Sequence, residues 1–222
     1  MFWVINGRIS ITQVKSKTYW LQIFAWSLSL LAVLLAFMAW GSSLHWRIDR
    51  INSYNLFPFF GLVAFSLMWC HYIVSVVRQY LGIEKNHLHT YIEVTSFVVL
   101  VAIFAHPGLL EWQLWRDGFG LPPGNVLQHY VAPSLRVSAV LGMVSLLVFL
   151  AYELRRWYSD RSWWKYINYA TDIAMLLIFL HGFKLGRTLQ AGWLRGVWLF
   201  YGATLILALT YIYYIKIAKP TK

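Results

Sequence analysis

Seven histidines are present: His45, His71, His87, His89, His106, His129 and His181. His106 and His181 lie near the far ends of two long apolar runs, at about 88–110 and 163–186. An imidazole inside a hydrocarbon layer is costly without a partner, so both positions are functional-site candidates. If the two runs are helices that cross a bilayer in the same direction, each histidine falls about 18 residues into its run. At a rise of about 1.5 Å per residue the two rings then sit at similar depth. Two neutral imidazoles facing each other from neighbouring helices are the axial ligands that a six-coordinate b-type haem requires. The second nitrogen of each ring can donate to a carbonyl and so fix its tautomer. The same residues have a second reading, in which each histidine only satisfies a helix carbonyl or another polar neighbour.

The remaining candidates are less well placed. A second ligand on the His106 face, about four turns earlier, would fall at Ile92, whereas His89 is rotated away by about 100°. No histidine precedes His181 in its run. The spacing therefore predicts one haem, with His89 a weaker metal-ligand candidate. His71, in LMWCHYIVSVVRQYLG, fits an inner ligand paired with His89, a propionate partner or a packed core histidine. Arg78 could pair a propionate or a flavin phosphate, or could anchor its run at the interface. His87 and His89 in EKNHLH read first as a solvated turn. His45 and His129 fall in outer loops and could meet a metal substrate. No glycine-rich phosphate loop, HExxH or CxxC occurs, so electrons would have to come from elsewhere.

These residues are carried on a chain of 222 residues that is 59% hydrophobic and only 12% charged. A soluble domain carries roughly a quarter charged residues, so the composition is that of an integral membrane protein. The 13 tryptophans suit interfacial belts and flat contact surfaces. The net charge of +11 has no basic soluble domain to display it, which argues against nucleic acid and for anionic lipid. Cys70, the single cysteine, excludes an internal disulfide and reads as a small core residue. The first apolar run is too long for a signal-peptide core and is expected to be a retained span.

Six spans are predicted, at about 18–40, 55–79, 88–110, 132–154, 163–186 and 194–216. All are helical, because an isolated strand would leave its backbone unsatisfied in lipid. The expected fold is an all-α bundle of six transmembrane helices. Residues 1–17 form an interfacial segment, 18–216 the membrane domain and 217–222 a basic tail. Lys and Arg are denser at the tails and in the 78–90 and 155–165 loops than on the opposite side. Both termini are therefore expected in the cytoplasm, with the chain a multi-pass protein of the cytoplasmic membrane. Residues 107–131, broken by Pro122, Pro123 and Gly124, are expected to form an outer cap. Pro107 suits the end of a span and Gly182 a close approach.

With these residues placed, the chain resembles the ferric reductase-like transmembrane superfamily. That group includes NADPH oxidases, metalloreductases and the haem-binding subunit of periplasmic methionine sulfoxide reductase. The resemblance rests on Arg78 with Leu81-Gly82, Leu88-His89, His106-Pro107, Trp164, Tyr166-Ile167-Asn168-Tyr169 and His181-Gly182, across roughly residues 55–190. It implies a six-helix bundle whose third and fifth helices hold b-type haem, with His106 and His181 matching the outer ligands. Ile167-Asn168 stands where the family often has Leu-His, and the interval from His89 to His106 exceeds the usual one. These departures remove the inner haem or alter its binding. They leave an inner gap that FMN, FAD or a quinone could fill.

The expected function is transmembrane electron transfer through one haem b. The donor would be a flavin-containing reductase or a quinol, and the acceptor an extracytoplasmic protein or metal. The alternative is a non-redox scaffold subunit of a larger complex. A metal or proton transporter using His71 and His181, with Glu93 and Asp172 as its acidic groups, is a third reading.

Overall fold

A computed structural model describes residues 11–218. Its long helices are α1 (Ile11–Ser43), α2 (Ser53–Leu81), α3 (His89–Arg116) and α4 (Arg136–Glu153). After a four-residue helical turn, α5 (Arg155–Tyr158), come α6 (Trp164–Leu185) and α7 (Trp193–Ala218). No strand is present among the described residues. Six of these helices are long and apolar enough to cross a membrane. Their large apolar side chains, such as Phe97, Leu147 and Leu207, face outward. Such a surface suits lipid rather than water. The chain is a multi-pass membrane protein.

The expected spans correspond to these six helices, with two differences. Residues 11–17 belong to α1 and not to a separate segment; residues 1–10 and the tail residues 219–222 lie outside the described region. The third span does not end at Pro107, which lies inside α3. Proline removes only the hydrogen bond back to residue 103, and neighbouring helices tolerate that loss in a bundle. The helix therefore continues through Trp112 and Trp115 to Arg116, and the expected cap over 107–131 shrinks. What remains is a turn, a single π-helical turn (Val126–Tyr130) and a 3-10 turn (Pro133–Leu135). Outside the span, Asp117 accepts from the Tyr54 hydroxyl at 2.8 Å and from the Gln113 amide at 3.0 Å. Those donors hold its carboxyl below the usual carboxylate range.

α2 is the central helix, buried continuously from Leu62 to Cys70, so it has no lipid-facing stripe over that stretch. Asn52 caps its start by accepting from the Asn55 N–H. Gly82, at φ 67°, closes its end in the left-handed conformation, its N–H reaching the Arg78 and Gln79 carbonyls. α2 packs along α1, α3 and α7, whereas α4 packs mainly along α6. Two antiparallel pairs, α2–α3 and α4–α6, thus form the core of the bundle.

An aromatic seam joins α2 to α7. Phe65 lies 4.3 Å from Trp198 and Trp69 lies 4.2 Å from Tyr201 between ring centroids, and Trp69 Nε1 donates to Thr204 Oγ1 at 2.9 Å. Gly182 does provide a close approach: a Cβ there would lie 2.7 Å from the Trp198 ring. Trp198 Nε1 donates to the Phe179 carbonyl at 3.2 Å. Trp198→Ala is expected to remove packing on both α2 and α6 and to cost roughly 3 kcal/mol. A fall in the thermal unfolding midpoint in detergent would register it; an unchanged midpoint would mean that the seam adds nothing.

Candidate functional site

His106 lies 17 residues after His89 at the start of α3, and His181 lies 17 residues after Trp164 at the start of α6. The equal offsets bring the rings together. Their centroids are 6.4 Å apart and their planes cross at 84°. Each ring is oriented by the preceding helix of its own pair. His106 Nδ1 is 2.9 Å from the Phe57 carbonyl of α2, and His181 Nδ1 is 2.8 Å from the Ser138 carbonyl of α4. A carbonyl only accepts, so Nδ1 carries the proton in both rings and Nε2 holds the lone pair.

The second reading of the histidines, that each satisfies a helix carbonyl, therefore describes one nitrogen of each ring and leaves the other for ligation. The Phe57 ring lies 5.3 Å from that of His106. Ser145 ties α4 to α6 beneath the pair, donating to the Leu141 carbonyl at 2.8 Å and reaching the Ala174 carbonyl at 3.3 Å.

The fit of a haem iron can be tested on this spacing. A metal–imidazole bond of about 2.0 Å plus about 1.1 Å from nitrogen to ring centre would put two imidazole centroids on opposite sides of one metal roughly 6.2 Å apart. The observed centroid separation of 6.4 Å is close to that value. The donor set agrees as well. Two nitrogens do not complete the shell of a bare ion, but they supply the two axial positions that a porphyrin leaves open. Among the described residues no group of three or more His, Cys, Asp or Glu side chains converges as a metal site.

Toward the end of the bundle where α1 begins and α7 ends lies a cavity of about 380 Å³. Ile103 and Met175 line it, three residues before His106 and six before His181, so it reaches close beneath the pair. Ile92 and Asn168 also line it. They lie 14 residues before His106 and 13 before His181. Its charged residues are Arg78, Asp172, Glu153 and Lys216, with His71 beside them. Asp172 accepts from Tyr72 of α2 at 2.7 Å and from Tyr213 of α7 at 2.6 Å.

The remaining candidates separate. His71 Nε2 is 2.6 Å from Thr95 Oγ1, whose own proton goes to the Tyr91 carbonyl at 2.6 Å, so Nε2–H is the donor in that contact. His71 stands at the cavity wall with its Nε2 engaged by Thr95. His89 is exposed and sits 3.2 Å from Glu93 one turn on; it does not line the cavity. Arg78 donates to the Ile83 carbonyl at 2.9 Å while lining the cavity. His45 sits 3.5 Å from Arg50, and His129 stacks on Phe119 at 5.1 Å.

Sequence reasoning missed the two carbonyl acceptors and the glycines beside them, Gly61 and Gly142. It also missed the two-phenol grip on Asp172. Helical spacing alone carries no signal for these, because each depends on which helices are neighbours. Comparison of the chain with known families, with curated proteins and with solved structures finds no match. The functional reading therefore rests on the geometry of the site.

Proposed function

We propose that this protein carries electrons across a membrane through one b-type haem held between His106 and His181. The observation that carries this reading is the close pair of imidazoles on two neighbouring spans, each committed through Nδ1 to a backbone carbonyl, whose Nε2 atoms would hold the iron. The haem supplies one-electron chemistry; the chain supplies the ligands, their tautomers and a dry environment. By the distribution of basic residues, the chain ends face the cytoplasm and the histidine pair lies in the outer half. Electrons enter at the inner cavity and leave from the outer end to an extracytoplasmic protein or metal.

The cavity lining favours a hydroquinone over a flavin phosphate as donor. Asp172 and Glu153 place two carboxylates in the wall beside Arg78 and Lys216, so the wall carries no excess of positive charge to draw a phosphate dianion. A neutral hydroquinone requires what the wall provides, which is apolar surface from the spans and carboxylates to take protons. Its oxidation to quinone releases two protons and two electrons, for which a haem held by His106 and His181 would be a one-electron acceptor used twice. Asp172 is the acceptor for the first proton, its two phenol partners keeping it in place.

A reduced-minus-oxidised spectrum with a pyridine haemochrome count on the detergent-purified chain tests the proposal. One haem b per chain is expected. A count of two would place a second haem in the inner cavity. Protein expressed with ample haem and purified without a Soret band, but with a tightly bound protein partner, would instead support a scaffold role.

A further inference from the structure

The histidine pair is built from one device used twice. On α2 the acceptor carbonyl of Phe57 is followed four residues later by Gly61, and on α4 that of Ser138 is followed four residues later by Gly142. One helical turn separates acceptor and glycine, so both lie on one face. A Cβ on Gly61 would lie 2.7 Å from His106 Nδ1 and 2.8 Å from its Cε1. A Cβ on Gly142 would overlap the same two atoms of His181 even more closely. The imidazoles lie against bare helix backbone, and only glycine permits that approach. Absence of a side chain does not itself produce such a contact: Gly108 and Gly196, also in helices, have nothing within 4 Å of a Cβ position.

We infer that Gly61 and Gly142 are positioning residues for the histidine pair: each lets its imidazole reach the carbonyl one turn back, fixing the Nδ1–H tautomer and the crossed ring planes. The inference rests on the haem reading for its purpose, though the cradles themselves do not require haem. An added methyl meets a side-chain ring and not backbone, so the ring swings aside while the helices stay packed. The carbonyl bond is lost, the proton is no longer held at Nδ1, and the angle between the rings changes. Crossed axial planes leave the iron dxz and dyz orbitals nearly equal in energy. A ferric low-spin site of this kind gives a strongly anisotropic electron paramagnetic resonance signal, whereas parallel planes give a rhombic one.

The test uses the full chain labelled with ¹⁵N-histidine, in the diamagnetic reduced state. Beside the Nε2–H cross-peak of His71, protected Nδ1–H cross-peaks are expected for His106 and His181, assigned by their loss in H106Q and H181Q. G61A should remove the His106 peak and spare that of His181, and G142A the reverse. G108A and G196A should change neither. In the oxidised protein the anisotropic signal should become rhombic or heterogeneous in G61A and G142A alone.

If either ring carries its proton on Nε2, or if both peaks survive G61A and G142A, the inference is overturned. A rhombic signal in the unmodified protein would overturn the crossed-plane part. If both Nδ1–H peaks behave as stated in protein that never takes up haem, the haem reading fails and the cradles stand. Should G61A fail to accumulate, G142A on the other helix pair provides an independent reading.

Discussion

Replacing either His106 or His181 by alanine is expected to abolish the Soret absorbance of the purified protein. The two rings face each other across 6.4 Å from different helix pairs, and no third histidine is near enough to substitute. His71 is bound to Thr95, and His89 is exposed beside Glu93. Loss of a partner that merely orients a ligand commonly weakens metal binding by about 10- to 100-fold, so loss of a ligand itself should cost at least about 100-fold in haem retention. The double variant should be no worse than either single one, since one missing ligand already opens the site. H71A and H89A should keep full haem content, which separates ligation from general damage to the fold. An H106A or H181A protein with an unshifted Soret band would end the proposal.

The second large effect is expected from Asp172→Asn. The amide is similar in size and can still accept from one phenol, but it cannot take a proton from a hydroquinone. Removing a positioned base commonly costs at least about 100-fold in rate, so reduction of the haem by a short-chain hydroquinone should slow by about that factor. Reduction by dithionite, which needs no proton acceptor in the cavity, should be unchanged. Equal slowing with both reductants would indicate a displaced haem. Hydroquinone reduction within twofold of the unmodified rate would remove Asp172 from the role. Ile92→Trp, which fills the cavity beside Asp172 instead of changing its charge, should weaken hydroquinone use by raising KM more than it lowers kcat.

Much of this architecture was legible in the sequence because bilayer thickness and backbone hydrogen bonding leave few choices. Apolar runs of the right length must become helices, and six did. The pairing of His106 with His181 could be read from equal offsets along two helices, since rise per residue converts offset to depth. Helix ends were less legible. Pro107 looked like a stop because the sequence does not reveal that α3 runs on for nine residues beside its neighbours. Partner identity was least legible. Nothing within the FPFFG or SAVLG segments says that a histidine from a later helix will lie on their glycines; that follows only once α2 packs on α3 and α4 on α6. The inner half shows the same division. Ile92 could be located by counting turns, whereas the convergence of Tyr72 and Tyr213 on Asp172 required the tertiary arrangement.

The division of the core into two helix pairs carries a consequence for the protein's life in the cell. The seams within α2–α3 and within α4–α6 are far more extensive than the seams joining one pair to the other, and His106 and His181 stand on opposite sides of that divide. A group bound by both histidines would fasten the halves as a keystone does, adding stability in proportion to the logarithm of its free concentration over Kd. Chains made during iron or porphyrin shortage would be held together less firmly and exposed sooner to membrane proteases. Cofactor supply would then set how much of this protein accumulates, without any dedicated regulator. Haem starvation of growing cells should lower the protein's half-life, and H106A should have the same short half-life whether haem is plentiful or scarce.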